Sequence, residues 1–195
     1  RADLDREAVA RAGGESLAPL QADASRERAQ PVMVAGATRL LGERLARGEL
    51  HGILGLGGLQ GTAVCTQVMR SMPYGLPKVM LSTTASGDVS RYVDIKDITM
   101  MFSVADLLGL NAFSRTILAN ADGAVLGMAR AGVPLEPRRG DRPLIGISNL
   151  GVLTRGSMLA LELLAERGYE AIVFHAIGSG GRAMEQMMRD GIIGA

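Results

Sequence analysis

The sequence has 195 residues, 47% of them hydrophobic and 21% charged, which is ordinary for a globular chain able to bury its own core. Its formal net charge is +1, with basic residues spread along its length, so the electrostatic footprint of a nucleic-acid-binding domain is missing. Aromatics make up 3% and Trp is absent, which excludes base stacking as a main activity and leaves the core to aliphatic residues and Met.

The opening RADLDREAVARAGG is too charged for a signal peptide, and no apolar run approaches the roughly 18 residues of a membrane span, so the expectation is a cytoplasmic chain without a membrane partner. Asp3 to Ala12 carries alternating charges on helical spacing and predicts a short surface helix ended by Gly13-Gly14. From Ser25 to Arg47, Val32, Val34, Leu40, Leu41 and Leu45 recur near a 3.6-residue period. They predict a long amphipathic helix with Pro31 near its first turn, where a missing N–H costs little.

Leu50 to Leu56 then reads as a strand, followed by the glycine-rich GLGGLQGTAV and a helix from Thr62 to Met72 that stops at Pro73 and Gly75. Cys65, with Val64 and Val68, reads as core; as the single cysteine it excludes an internal disulfide and a cysteine-rich zinc site and fits a reducing compartment. Lys78 to Ser82 reads as a second strand, followed by the polar loop TTASGDVS, Thr83 to Ser90. Ile98 to Phe102 is open between strand and buried helix, while Ala105 to Leu110 and Ala112 to Ala131 predict helices, ending at Gly132 and Pro134.

The segment EPRRGDRP, 136–143, reads as an exposed linker between a first lobe, 1–135, and a second, 144–195. In the second lobe, Leu144 to Ile147 predicts a strand, Ser157 to Arg167 a helix closed by Gly168, Ala171 to Phe174 a strand, and Arg182 to Arg189 a helix after the loop HAIGSGG. The chain begins without Met and stops on DGIIGA, an apolar run that reads as the start of a strand; the expectation is a segment of a longer chain, with its second lobe cut short.

Strands alternating with helices predict an α/β protein: parallel-sheet βα units with Rossmann-like topology, in two lobes around a cleft. A weak internal repeat runs through strand, glycine loop, helix, strand and Ser/Gly loop at Ile53 to Gly87 and again at Ile145 to Gly180, matching Gly61 to Gly156 and Ser86-Gly87 to Ser179-Gly180. Two generic βα units would look alike in the same way.

A parallel sheet binds ligands beyond the carboxyl ends of its strands, where loops and helix N-termini point N–H groups at one crevice, and the small-residue loops fall there. Gly57, Gly58 and Gly61 would let backbone approach an anionic oxygen, with Thr62 adding a hydroxyl; alternatively these glycines only let a helix pack on the sheet. The Walker pattern is absent, because Gly61-Thr62 lacks its lysine and Lys78 is a strand away. The dinucleotide pattern would need glycine where Gln60 stands. NAD is further disfavoured by Thr83 and Thr84, at the strand end where an acidic residue would hold a ribose diol.

In the loop from Ser82 to Ser90, hydroxyls could bond phosphate while Asp88 coordinates Mg²⁺; the alternative is a local turn in which Asp88 caps a helix. Asp94 and Asp97 could share such a metal, although solvated surface carboxylates are the plainer reading. His175 follows a strand and could act as acid, base or ligand donor, whereas His51 precedes one, at the wrong sheet edge for catalysis. No Ser-His-Asp signature, paired-carboxylate motif or HExxH is present, so catalytic residues are unknown and enzymatic status is open.

The stretch HGILGLGGLQGTAVCTQVMRSMPYGLPKVMLSTTASGDVSRYVDIKDITMMFSVADLLGLN, His51 to Asn111, resembles the uncharacterised protein family typified by the N-terminal domain of the tomato mosaic virus resistance protein, often called its ATP-binding domain family. The resemblance continues through Leu110 to Met128 and Phe174 to Gly191, and TTASGDVS and KDITMM are far more specific than any glycine pattern. It implies a two-lobed nucleotide-binding domain whose ligand is ATP, with Mg²⁺. The nucleotide reading carries over to the small-residue loops, and within them we set Gly57, Gly58, Gly61 and Thr62 against phosphate, Thr83 against the nucleotide, and Ser86, Gly87 and Asp88 against phosphate or metal, with Asp88 as the metal ligand. Gly178, Gly180, Gly181 and Arg182 would be the second lobe's contribution.

The expected function is cytosolic, Mg-dependent ATP binding that activates or phosphorylates a small metabolite. The alternative is a non-catalytic interaction or regulatory module that holds nucleotide structurally. Arg182 and the helix Met184 to Met188 would then form a partner or homo-oligomer face, beside the plainer reading of the Met as core.

Overall fold

The computed structural model describes residues 2–23, 25–133, 135 and 142–194, so most of the expected linker lies outside the described residues. It is an α/β protein whose strands pair in parallel, and it divides into two compact units: 1–93 with 97–133, and 94–96 with 134–195.

The first unit opens with α1 (Arg6–Ala12), α2 (Leu17–Asp23) and α3 (Arg26–Ala46). Asp5 caps α1, its Oδ1 accepting the Ala8 N–H at 2.8 Å, and Ser25 caps α3. α1 crosses α3 where glycines let the backbones touch: a Cβ on Gly13 would run into the carbonyl of Val32, and one on Gly36 into that of Val9. Helix α2 was not anticipated; its one buried residue is Leu20, too little to set up a periodic signal. Pro31 sits in the second turn of α3 rather than the first. It and Glu27, whose carbonyl loses its helical partner, are both exposed.

Strands β1 (Ile53–Gly57), β2 (Lys78–Ser82) and β3 (Thr99–Phe102) form a parallel sheet in the order β1-β2-β3, with Ile53 opposite Lys78 and Val79 opposite Thr99. α4 (Leu59–Arg70) connects β1 to β2, α5 (Ser90–Val93) lies in the crossover to β3, and α6 (Ala112–Ala131) follows β3. Both α4 and α6 pack on β1 and β2, and every residue of β2 is buried, as a central strand covered on both faces requires. Even Lys78 is fully buried. Its Nζ donates to the carbonyls of Pro73 and Leu76 at 2.8 and 2.7 Å and pairs with Asp97 Oδ1 at 2.9 Å.

The ambiguous run ending at Phe102 is therefore strand, but the helix expected over Ala105 to Leu110 does not form. Val104 at φ 64° and Gly109 at φ 71° depart from helical backbone. Ser103 closes a tight turn, its carbonyl accepting the Ala105 N–H and its hydroxyl donating to the Ala105 carbonyl, both at 2.7 Å. The helix starts later, at a reciprocal capping box: Ser114 N–H donates to Asn111 Oδ1, and Asn111 N–H to Ser114 Oγ, both at 2.9 Å.

The second unit holds β4 (Leu144–Asn149), α7 (Thr154–Glu166), β5 (Glu170–His175) and α8 (Ser179–Arg189). β4 and β5 pair in parallel, with Leu144 opposite Glu170. Met184 of α8 lies over Gly146, where a Cβ would come within 2.8 Å of its sulfur, so this Met packs on the sheet. Ile193 is buried, and the Gly194 N–H donates to the Leu144 carbonyl at 3.0 Å, which sets the final apolar run beside β4.

Each unit thus contains a parallel βαβ element, but the positions matched by the repeat play different parts. A Cβ on Gly61 would press on the Leu56 carbonyl, while one on Gly156 would meet nothing; Ser179-Gly180 opens a helix, while Ser86-Gly87 lies in a turn.

Candidate functional site

In the first unit, β1 ends at Gly57 and α4 starts immediately, with Gly58 as its N-cap at φ −83° and ψ −158°. No side chain caps this 12-residue helix, so its first N–H groups and the positive end of its dipole are available to a ligand. Gly57 and Gly61 are small for another reason. A Cβ on Gly57 would lie 2.7 Å from the Gly61 Cα, and one on Gly61 3.2 Å from the Leu56 carbonyl oxygen. These two glycines are the contact between strand end and helix. At Gly58 the added atom would meet only Thr83 Oγ1, at 3.3 Å.

Beneath that turn runs a chain of hydroxyls. Thr62, fully buried, has its Oγ1 2.7 Å from Ser82 Oγ, which lies 3.0 Å from Thr84 Oγ1 and accepts the Thr84 N–H at 3.0 Å. Thr62 ties α4 to the end of β2, and its hydroxyl is committed inside the protein.

Beyond the carboxyl ends of β1 and β2 lies a pocket of about 560 Å³. Leu56, Gly57, Gly58 and Thr83 line it from the strand ends; Asp106 to Leu110 line it from the loop after β3, with Ser114 and Leu118 of α6. Five of the eleven lining residues are leucine, and Leu108 and Leu110 are 82% and 71% exposed. Among the described residues, Asp106 is the only ionisable one of the lining, and it has no hydrogen-bond or ion-pair partner.

Of the residues singled out in the sequence, Gly57, Gly58 and Thr83 come together at this pocket, and Gly61 and Thr62 lie packed beneath it. Ser86, Gly87 and Asp88 sit exposed in the turn after β2 and do not line it. Asp88 bonds the start of α5, its Oδ1 accepting the Ser90 N–H at 2.8 Å; the bonds from Ser90 hold its carboxyl below the ordinary range, so it is ionised at neutral pH. Asp97 is taken by Lys78 and by the Gly75 N–H at 2.9 Å. Among the described residues, no three His, Cys, Asp or Glu side chains gather as a metal cluster.

Gly178, Gly180, Gly181 and Arg182 belong to the second unit. Gly178, at φ 86°, is the N-cap of α8 and needs glycine for its backbone; Gly180 needs it for room, because a Cβ would run into the His175 carbonyl. Arg182 is exposed and pairs with Asp94 of the same unit at 2.8 Å. His175 and His51 are both exposed. Cys65 is half-buried in α4 beside Gly55, and burial pushes its thiol pKa up, away from reactivity.

Sequence reading missed the far wall of the pocket by assigning helix to its loop. The available signals were Gly109 and the spacing Asn111-x-x-Ser114, which marks a helix start at Ala112.

A family model described as the N-terminal domain of an uncharacterised protein family, UPF0261, matches residues 1–134, and the C-terminal domain model of that family matches 142–195. The chain belongs to the UPF0261 family. A UPF0261 protein of Clostridium tetani is 44% identical over 194 residues, covering 99% of this chain and 47% of that protein. One from Rhizobium meliloti is 47% identical over 148 residues, 76% of this chain and 36% of its own. The ToMV resistance protein Tm-1(GCR237) of Solanum lycopersicum is 39% identical over 148 residues, 74% of this chain and 20% of its own. The chain thus spans about half or less of the length of these UPF0261 relatives. Among the described residues no helix is long and apolar enough to cross a membrane.

Proposed function

We propose that this UPF0261 chain is a cytoplasmic nucleotide-binding protein that takes ATP with Mg²⁺, with a phosphate group against Gly58, Thr83 and the first turn of α4. The observation that carries this reading is the position of the pocket: about 560 Å³ beyond the carboxyl ends of parallel strands, over the uncapped N-terminus of a 12-residue helix. Backbone N–H groups and the helix dipole favour an anion there.

Among the described residues no Lys or Arg lines the pocket, so the charge of a polyphosphate calls for a cation. Mg²⁺ is commonly held by one or two carboxylates together with phosphate oxygens and water, so the lack of a three-carboxylate cluster does not conflict with it. Asp88 lies outside the pocket lining, in the loop that begins with Thr83; ionised and exposed, it is the residue that would hold the ion from beyond the pocket's edge, and the ion would supply charge neutralisation. On this reading the bound nucleotide serves to activate or phosphorylate a small metabolite.

Titration calorimetry of the purified chain with ATP, with and without Mg²⁺, tests the reading. Saturable binding supports it; no binding under either condition overturns it. If ATP binds but is returned unchanged in the presence of metabolite mixtures, the nucleotide is a structural ligand of an interaction module instead.

A further inference from the structure

The pocket lining holds two chemically different kinds of polar group. Near Gly58 and Thr83 it offers donors: the first N–H groups of α4 and a hydroxyl. The loop after β3 contributes Asp106 to the same lining, and five leucines belong to it. A carboxylate only accepts hydrogen bonds, so Asp106 is matched by a ligand group that donates. The leucine side chains suit a flat, weakly polar ring.

We propose that Asp106 reads the ribose, accepting hydrogen bonds from its 2′- and 3′-hydroxyls while the base lies on the leucine side chains; this rests on the nucleotide reading above. At the end of β2, where an acidic residue would otherwise meet a ribose, this protein has Thr83 and Thr84. Asp106 supplies the carboxylate from after β3 instead.

Its loop is pinned at both ends. Ser103 N–H donates to the Ser82 carbonyl at 3.0 Å, which ties the start of the loop to β2, and the Asn111–Ser114 capping box fixes its other end to α6. A carboxylate held between two such anchors gives up little freedom on binding. Asp106 is exposed and bonded to nothing else among the described residues, so replacing it leaves the fold alone.

The test compares ATP with 2′,3′-dideoxy-ATP, both with Mg²⁺, by calorimetry on the wild-type chain and on Asp106→Ala, with circular dichroism confirming that the variant folds. Loss of hydrogen bonds to a charged acceptor sets the scale, so the wild type is expected to bind ATP about tenfold more tightly than the dideoxy compound. In Asp106→Ala that ratio is expected to fall to about one, through weaker ATP binding with the dideoxy affinity unchanged. A wild-type ratio near one, or a variant ratio as large as the wild type's, overturns the role of Asp106 while leaving nucleotide binding in place. A wild type that binds neither compound overturns the nucleotide reading, and the assignment of Asp106 with it.

Discussion

Replacing Gly57 and Gly58 separately by alanine divides what the glycine turn does for the fold from what it does for a ligand. At Gly57 the new Cβ would stand 2.7 Å from the Gly61 Cα and 3.1 Å from the Gly61 carbonyl carbon. Carbon atoms pack at about 3.5–4.0 Å, so the overlap is roughly 1 Å, and it is with helix backbone, which cannot rotate away. α4 must back off β1, straining the 2.7 Å contact between Thr62 Oγ1 and Ser82 Oγ.

Overpacking of this kind costs about 1–3 kcal/mol, and the stiffer unfolded chain returns about 0.4–1 kcal/mol. The net destabilisation of Gly57→Ala is about 1–2 kcal/mol, a fall in Tm of about 2–8 °C for a chain of this size. At Gly58, φ is −83°, which alanine adopts without strain, and the new atom meets only the Thr83 hydroxyl, which can turn. Gly58→Ala is therefore expected to melt within about 0.5 kcal/mol of wild type. It still puts a methyl group where the proposal places a phosphate, so ATP affinity is expected to fall about tenfold or more. Thermal scans and calorimetry on the two variants read both quantities. Wild-type melting for Gly57→Ala would refute the steric reasoning, and wild-type ATP affinity for Gly58→Ala would refute the phosphate position.

Thr62→Val removes the bond to Ser82 and is expected to cost about 1 kcal/mol by urea denaturation while leaving ATP affinity unchanged; a loss of affinity with stability intact would mean that the hydroxyl faces the ligand. Lys78→Met leaves the Pro73 and Leu76 carbonyls without their donor, and an expected loss of about 2–3 kcal/mol in the urea midpoint analysis would identify Lys78 as structural, since a strand separates it from the pocket. Asp88→Ala should weaken ATP binding more with Mg²⁺ than without, and equal losses would dismiss the metal role. The same residue has an acid signature. Its folded pKa is depressed, so the stability it adds is complete above the unfolded carboxylate pKa and disappears as pH falls through the depressed value; Asp88→Ala should flatten the acid limb of a pH–stability curve to that extent.

Local patterns carried the elements that have strong local causes. Asp5 and Ser25 cap their helices with their own side chains, β2 is a continuous apolar run after one lysine, and Gly132 ends α6 in the left-handed region at φ 51°. These follow from residues a few positions apart, and the α/β class with parallel strands follows from their alternation. The reading failed where a local preference was outvoted. Ala105 to Leu110 has helix-forming residues, but Ser103 is tied to β2 across the sheet, and Val104 and Gly109 take positive φ.

What only the tertiary structure decided was the use of each glycine and hydroxyl. The sequence by itself determined that small residues follow the strands, because turns into helices demand them. It could not separate Gly57 and Gly61, which press strand and helix backbones together, from Gly58, which faces a pocket: the three differ in what lies opposite them rather than in their own chemistry. Likewise, Thr62 and Thr83 are the same residue type, each within five residues of a strand's carboxyl end. One hydroxyl is buried against Ser82 and the other lines the pocket, and that division is set by contacts between segments about twenty residues apart, which no local pattern encodes.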